Sequence, residues 1–147
     1  MNANELKART KEFALRVMRL VDSLPDSVKG RAIANQLMRS GTSVAANYRA
    51  ACRSRSRAEF VSKIGVVEEE ADETALWLEL IIADKILPET KVSPLLNEAN
   101  ELVKIMAASF ISARKNGTRT TTPQSARNAA REASEAGLSI SIQHSAI

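Results

Sequence analysis

The chain has one cysteine, Cys52, and one histidine, His144, in 147 residues. A single cysteine excludes an intrachain disulfide and any zinc site built on several thiolates. A single histidine near the C-terminus leaves no Ser-His-Asp or Cys-His pair for nucleophilic catalysis within the folded part. It also leaves none of the Glu-x-x-His repeats that hold di-iron centres in helical bundles. No G-x-x-x-x-G-K-[ST] phosphate loop occurs. No apolar run approaches the ~18 residues of a membrane span. The N-terminus is charged from Glu5 onward and lacks the apolar region of a signal peptide, so a cytoplasmic location is expected. No cofactor is expected.

Aromatic residues make up only 3% of the chain against 44% apolar residues in all, so the core must be aliphatic and rich in alanine. Helical bundles are commonly built that way. The apolar residues recur at helical spacing in four stretches. The first runs from about Glu5 to Leu24, with Leu6, Phe13, Val17, Leu20, Val21 and Leu24 on one face. The second runs from about Val28 to Ala51, with Ile33, Leu37, Val44, Tyr48 and Ala51 inward. Gly41-Thr42-Ser43 in its middle are weak helix formers that either bend the helix or let a neighbour approach closely. Close packing is the preferred reading.

The third helix begins near Ser56, where Ser56 and Glu59 have capping-box spacing. Phe60, Ile64, Val67, Ala71, Thr74, Leu78 and Ile81 then form a heptad-like seam that closes before Pro88. The fourth begins at Ser93-Pro94, read as a cap followed by a first-turn proline. Leu95, Ala99, Leu102, Met106, Phe110 and Ala113 face inward. Short connections between four amphipathic helices predict an all-α, up-down antiparallel four-helix bundle over residues 1–115. Residues 116–147 lack a large apolar face and are expected to form a flexible tail.

Charge changes sign along the chain. From Lys29 to Lys63 there are eight Lys or Arg against one acid, and from Ile64 to Glu101 ten acids against two lysines. On a continuous second helix, Arg31, Arg49 and Arg53 lie opposite the inner stripe. Arg55 and Arg57 follow at the turn, and Lys63 one turn later. Guanidinium forks suit phosphate oxygens, so this surface is a candidate nucleic-acid contact that reads backbone rather than base sequence. The alternatives are a solvated face, or one that meets Glu68 to Glu73 of another subunit. The net charge of +4 fits a polyanion partner without requiring one.

The third helix carries more apolar surface than its core seam uses. Val66, Trp77 and Leu80 lie on a second face, beside Glu70 and Glu73; in the first helix, Leu15 and Met18 also fall off the core stripe. Such a face predicts a homo-oligomer that buries Trp77 and Leu80 and pairs Glu73 with an arginine of a neighbour. The alternative is that Trp77 packs on a flanking helix of its own chain. One acidic constellation is left to test for catalysis. Glu70-x-x-Glu73 and Glu98-x-x-Glu101 are similar to the paired carboxylates of Mg-dependent all-α nucleotide pyrophosphatases. The helical wheel, however, turns Glu73 and Glu101 away from the inner faces.

Several blocks of this sequence agree in order and spacing with a known family. They are Asn35-Gln36-Leu37, Arg39-Ser40-Gly41-Thr42-Ser43, Ala46-Asn47-Tyr48, Ser56-Arg57-Ala58-Glu59-Phe60, Lys63-Ile64, Glu70-Ala71-Asp72-Glu73-Thr74 and Trp77-Leu78-Glu79-Leu80. Over roughly Phe13 to Arg114 the chain resembles the four-helix-bundle proteins of 23S rRNA intervening sequences. The resemblance implies a left-handed bundle, assembly into a homopentamer, and no catalytic activity. It extends to the accessory proteins of diversity-generating retroelements, which implies RNA (or RNA/DNA) and a reverse transcriptase as partners. A protein–protein adaptor without nucleic acid is the competing expectation.

Overall fold

The computed structural model describes residues 1–118 and Arg131. Its compact unit, Met1–Ala113, holds the bundle; a second unit spans Arg114–Ile147, of which only the end of a helix and Arg131 are described. Four helices follow one another: α1 Ala3–Val21, α2 Val28–Cys52, α3 Arg57–Ala83 and α4 Glu89–Thr118. The described residues contain no strand. The fold is therefore the expected four-helix bundle. Most of the expected flexible tail, from residue 119 on, lies outside the described residues apart from Arg131.

Local chemistry sets the helix ends. Asn2 caps α1 reciprocally: its side-chain oxygen accepts from the Glu5 amide at 2.9 Å, and the Glu5 carboxylate accepts from the Asn2 amide at 2.8 Å. α1 thus begins at Ala3, ahead of the expected start, and it ends at Val21 rather than Leu24. Ser27 caps α2 through the Gly30 amide at 3.0 Å, and Ser56 caps α3 through the Glu59 amide at 3.1 Å. The Glu59 carboxylate turns back to accept from the Arg55 amide at 2.9 Å, closing the expected box one residue early.

The start of α4 differs from expectation. The helix begins at Glu89, so Ser93 is not a cap; its hydroxyl donates to the Glu89 carbonyl at 2.8 Å from within the helix. Pro94 lies in the second turn of α4, where it removes the one intrahelical bond to the Thr90 carbonyl. The extra turn carries Val92 fully into the core.

The helices run alternately up and down. Lys29 near the start of α2 meets Asp84 just past α3 at 2.7 Å. Midway, the Ser40 and Thr74 hydroxyls lie 2.9 Å apart in the interior. α1 meets α4 through Arg9 and Glu98 at 2.6 Å. The inward residues named from periodicity are buried almost throughout, including Phe13, Val17, Leu37, Val44, Ile64, Val67, Leu78, Ile81, Leu102 and Met106. Phe60 and Phe110 are half-buried at the margin.

α2 is continuous through Gly41-Thr42-Ser43. A Cβ at Gly41 would lie 2.8 Å from Val17 Cγ1, so the glycine exists to let α1 and α2 approach closely.

Candidate nucleic-acid interface

Folding the basic stretch back against the acidic one sorts its cations into two groups. Those along the middle and start of α2 find acids. Arg39 donates to Glu70 at 3.1 Å and also to Glu73, both on α3. Arg31 meets Asp26 at 2.6 Å, across the turn before α2. Antiparallel pairing brings Arg39 in the middle of α2 over Glu70 and Glu73 in the middle of α3, so this cation is matched.

At the other end of α2 no such match occurs among the described residues. Arg49, Arg53, Arg55 and Arg57 are exposed and Lys63 is half-exposed. Among the described residues none of the five makes an ion pair. The nearest acid in sequence, Glu59, is held by the α3 cap. Arg53 terminates α2 and Arg57 opens α3, so a short capped turn carries three guanidinium groups, with that of Arg49 one helical turn before it. Arg31 does not join them. It shares their side of α2 but sits about 27 Å away along a continuous helix of 1.5 Å rise.

The same end carries a groove that sequence reasoning missed. It lies between α1 and α2, with a volume of about 470 Å³, and is lined by Lys7, Lys11 and Arg49 over a floor that includes Ala8, Ala45 and Ala46. Lys7 and Lys11 extend the basic surface onto α1. Only the helical offset of Lys7 and Lys11 from the inner stripe could have signalled them. Which helix they would border depends on the packing.

The second apolar face is divided by the structure. Leu80 is 42% exposed, and Leu76, unremarked in the sequence, is 49% exposed. Val66 is half-buried, and Trp77 packs against its own chain's core. Its indole N–H is buried and meets no hydrogen-bond acceptor among the described residues. Glu70 and Glu73 take their arginine from within the chain, because Arg39 on α2 reaches both across one helical turn. On α1, Leu15 and Met18 are exposed as expected.

The acidic constellation is dispersed. Glu70 and Glu73 bind Arg39, Glu98 binds Arg9, and Glu101 meets Lys104 at 3.1 Å. The Glu98 hydrogen bond raises the Arg9 pKa despite partial desolvation, so the guanidinium is held charged. No group of three or more metal-ligating side chains occurs among the described residues. Burial, reinforced by a hydrogen bond with Cys52, pushes the Tyr48 phenol up; it stays neutral and serves packing. Among the described residues no helix is long and apolar enough to cross a membrane.

Comparison with known proteins agrees with the fold. No curated protein matches the chain. The solved structure of a protein of unknown function from the S23 ribosomal protein family of Bacteroides thetaiotaomicron is similar, at 34% identity and a TM-score of 0.69. The match covers 75% of this chain and 98% of that one. Neither it nor the family indicates an enzyme. The family described as 23S rRNA-intervening sequence protein matches residues 3–108, and the chain belongs to that family.

Proposed function

We propose that this protein is a non-enzymatic, homo-oligomeric scaffold that holds nucleic acid, RNA first of all, on the arginine cluster at the α2–α3 turn. Arg53, Arg55 and Arg57 make the central phosphate contacts, with Arg49 and Lys63 at their sides; Arg31, about five turns away and paired with Asp26, stays out of the site. The observation that carries the reading is the unmatched charge of this end, beside cations of the same helix that are matched. Exposed aromatic rings are absent from the cluster, so binding is to the backbone with little base preference. A pentamer acting beside a reverse transcriptase is the assembly that the retroelement resemblance suggests.

Salt titration tests it. Five phosphate contacts on single-stranded RNA give a slope near −3.5, a loss of roughly 100-fold in affinity between about 50 and 200 mM salt. The triple variant R53E/R55E/R57E should bind weakly and lose no more than roughly sevenfold over that range. Wild-type affinity that ignores salt would remove phosphate contact as the mechanism.

A second reading, a protein–protein adaptor without nucleic acid, is favoured by the exposed Leu76 and Leu80. It predicts oligomers that bind no RNA and that come apart in Leu80→Asp.

A further inference from the structure

α3 is apolar on two sides. Its inner seam, from Ile64 to Ile81, is buried. Its outer seam carries Leu76 and Leu80, exposed, among exposed Glu69, Asp72 and Glu79. Helices with apolar residues all round are normally covered all round. Two leucines four residues apart, rimmed by acids, are the anchor pattern of a helix that lies in a groove. Glu69, Asp72 and Glu79 make no ion pair among the described residues.

The groove between α1 and α2 has the opposite character. Its rim is Lys7, Lys11 and Arg49, and its alanine floor lets a third helix approach closely. Lys7 and Lys11 also make no ion pair among the described residues. The outer seam of α3 points away from the bundle, so a chain cannot seat it in its own groove.

We infer that the outer seam of α3 docks in the α1/α2 groove of a second copy of this chain, with Leu76 and Leu80 on the alanines and Glu69 and Asp72 against Lys7 and Lys11. The contact joins two different surfaces, so it repeats from copy to copy and closes into a ring when the rotation permits. This inference rests on the homo-oligomer reading and says which faces build it. It also leaves the arginines of the α2–α3 turn free for phosphate, with Arg49 on the border.

The test is charge reversal, with nuclease-treated protein, mass measured by light scattering and folding by circular dichroism. K7E/K11E and E69K/D72K, each alone, should raise the concentration of half-dissociation at least about tenfold, since like charges then face each other. The fourfold variant K7E/K11E/E69K/D72K exchanges the two signs and should regain the wild-type mass. Leu76→Asp should also disperse the oligomer while staying helical. A wild-type oligomer that keeps its mass in both reversals, or a fourfold variant that stays apart, overturns this interface alone. A wild-type monomer overturns it together with the oligomer reading.

Discussion

Gly41 offers a direct check on how α1 and α2 meet. In an unconstrained helix, replacing a central glycine by alanine stabilises by about 1 kcal/mol, because alanine loses less backbone freedom. Here the added Cβ would lie 2.8 and 2.9 Å from the two methyl carbons of Val17, closer than real carbon atoms approach. Val17 is fully buried and β-branched, so it has little freedom to turn aside. Forcing an extra methyl into such a site costs about 1–3 kcal/mol. The net for Gly41→Ala is a destabilisation of about 0–2 kcal/mol, against a gain of about 1 without the contact. Val17→Ala removes the obstacle at a cost of its own, roughly 2 kcal/mol. In the double variant the new methyl occupies part of the vacated space. The pair should therefore couple favourably by about 1 kcal/mol or more in a double-mutant cycle. Urea unfolding followed by circular dichroism measures all four corners. A Gly41→Ala protein more stable than wild type by the full helix-propensity gain, with no coupling to Val17→Ala, would refute the close approach.

Thr74→Val leaves the buried Ser40 hydroxyl without its side-chain neighbour and should cost about 1–2 kcal/mol, most of it recovered in S40A/T74V, as denaturant midpoints would show. Tyr48 predicts an alkaline dependence. Its phenol is raised in the folded state, so above pH about 10 the unfolded chain gives up a proton that the folded chain keeps. Stability is fully present below that pH and falls above it. Melting temperatures between about pH 8 and 11 should therefore decline less steeply in Tyr48→Phe than in wild type.

The bundle was largely legible because its signal is periodic. Residues such as Val17, Leu37, Ile64, Leu78 and Leu102 recur at helical spacing, and burial follows from that spacing alone. The ends were less legible where competing signals existed. Ser93-Pro94 has the composition of a helix start, but Pro88 ends the preceding turn and the helix resumes at once, which draws Val92 into the core. The site was legible in part. The run from Arg49 to Arg57 is local, and a local run stays together at a turn. Arg31 belongs to the same helix face yet ends five turns away, paired with Asp26. Arg39 as the partner of Glu70 and Glu73, and the groove bordered by Lys7 and Lys11, depend on which helices lie side by side and in what register. Those are relations between distant stretches, and no spacing within one stretch encodes them.

The central claim is an oligomer that holds RNA through charge. Light scattering of the purified protein, with and without a structured RNA, at about 50 and 200 mM salt, tests it most directly. The account predicts an oligomer in both salts that gains RNA mass in the lower one and loses it in the higher. A monomer, or an oligomer whose mass is unchanged by RNA at low salt, would contradict it.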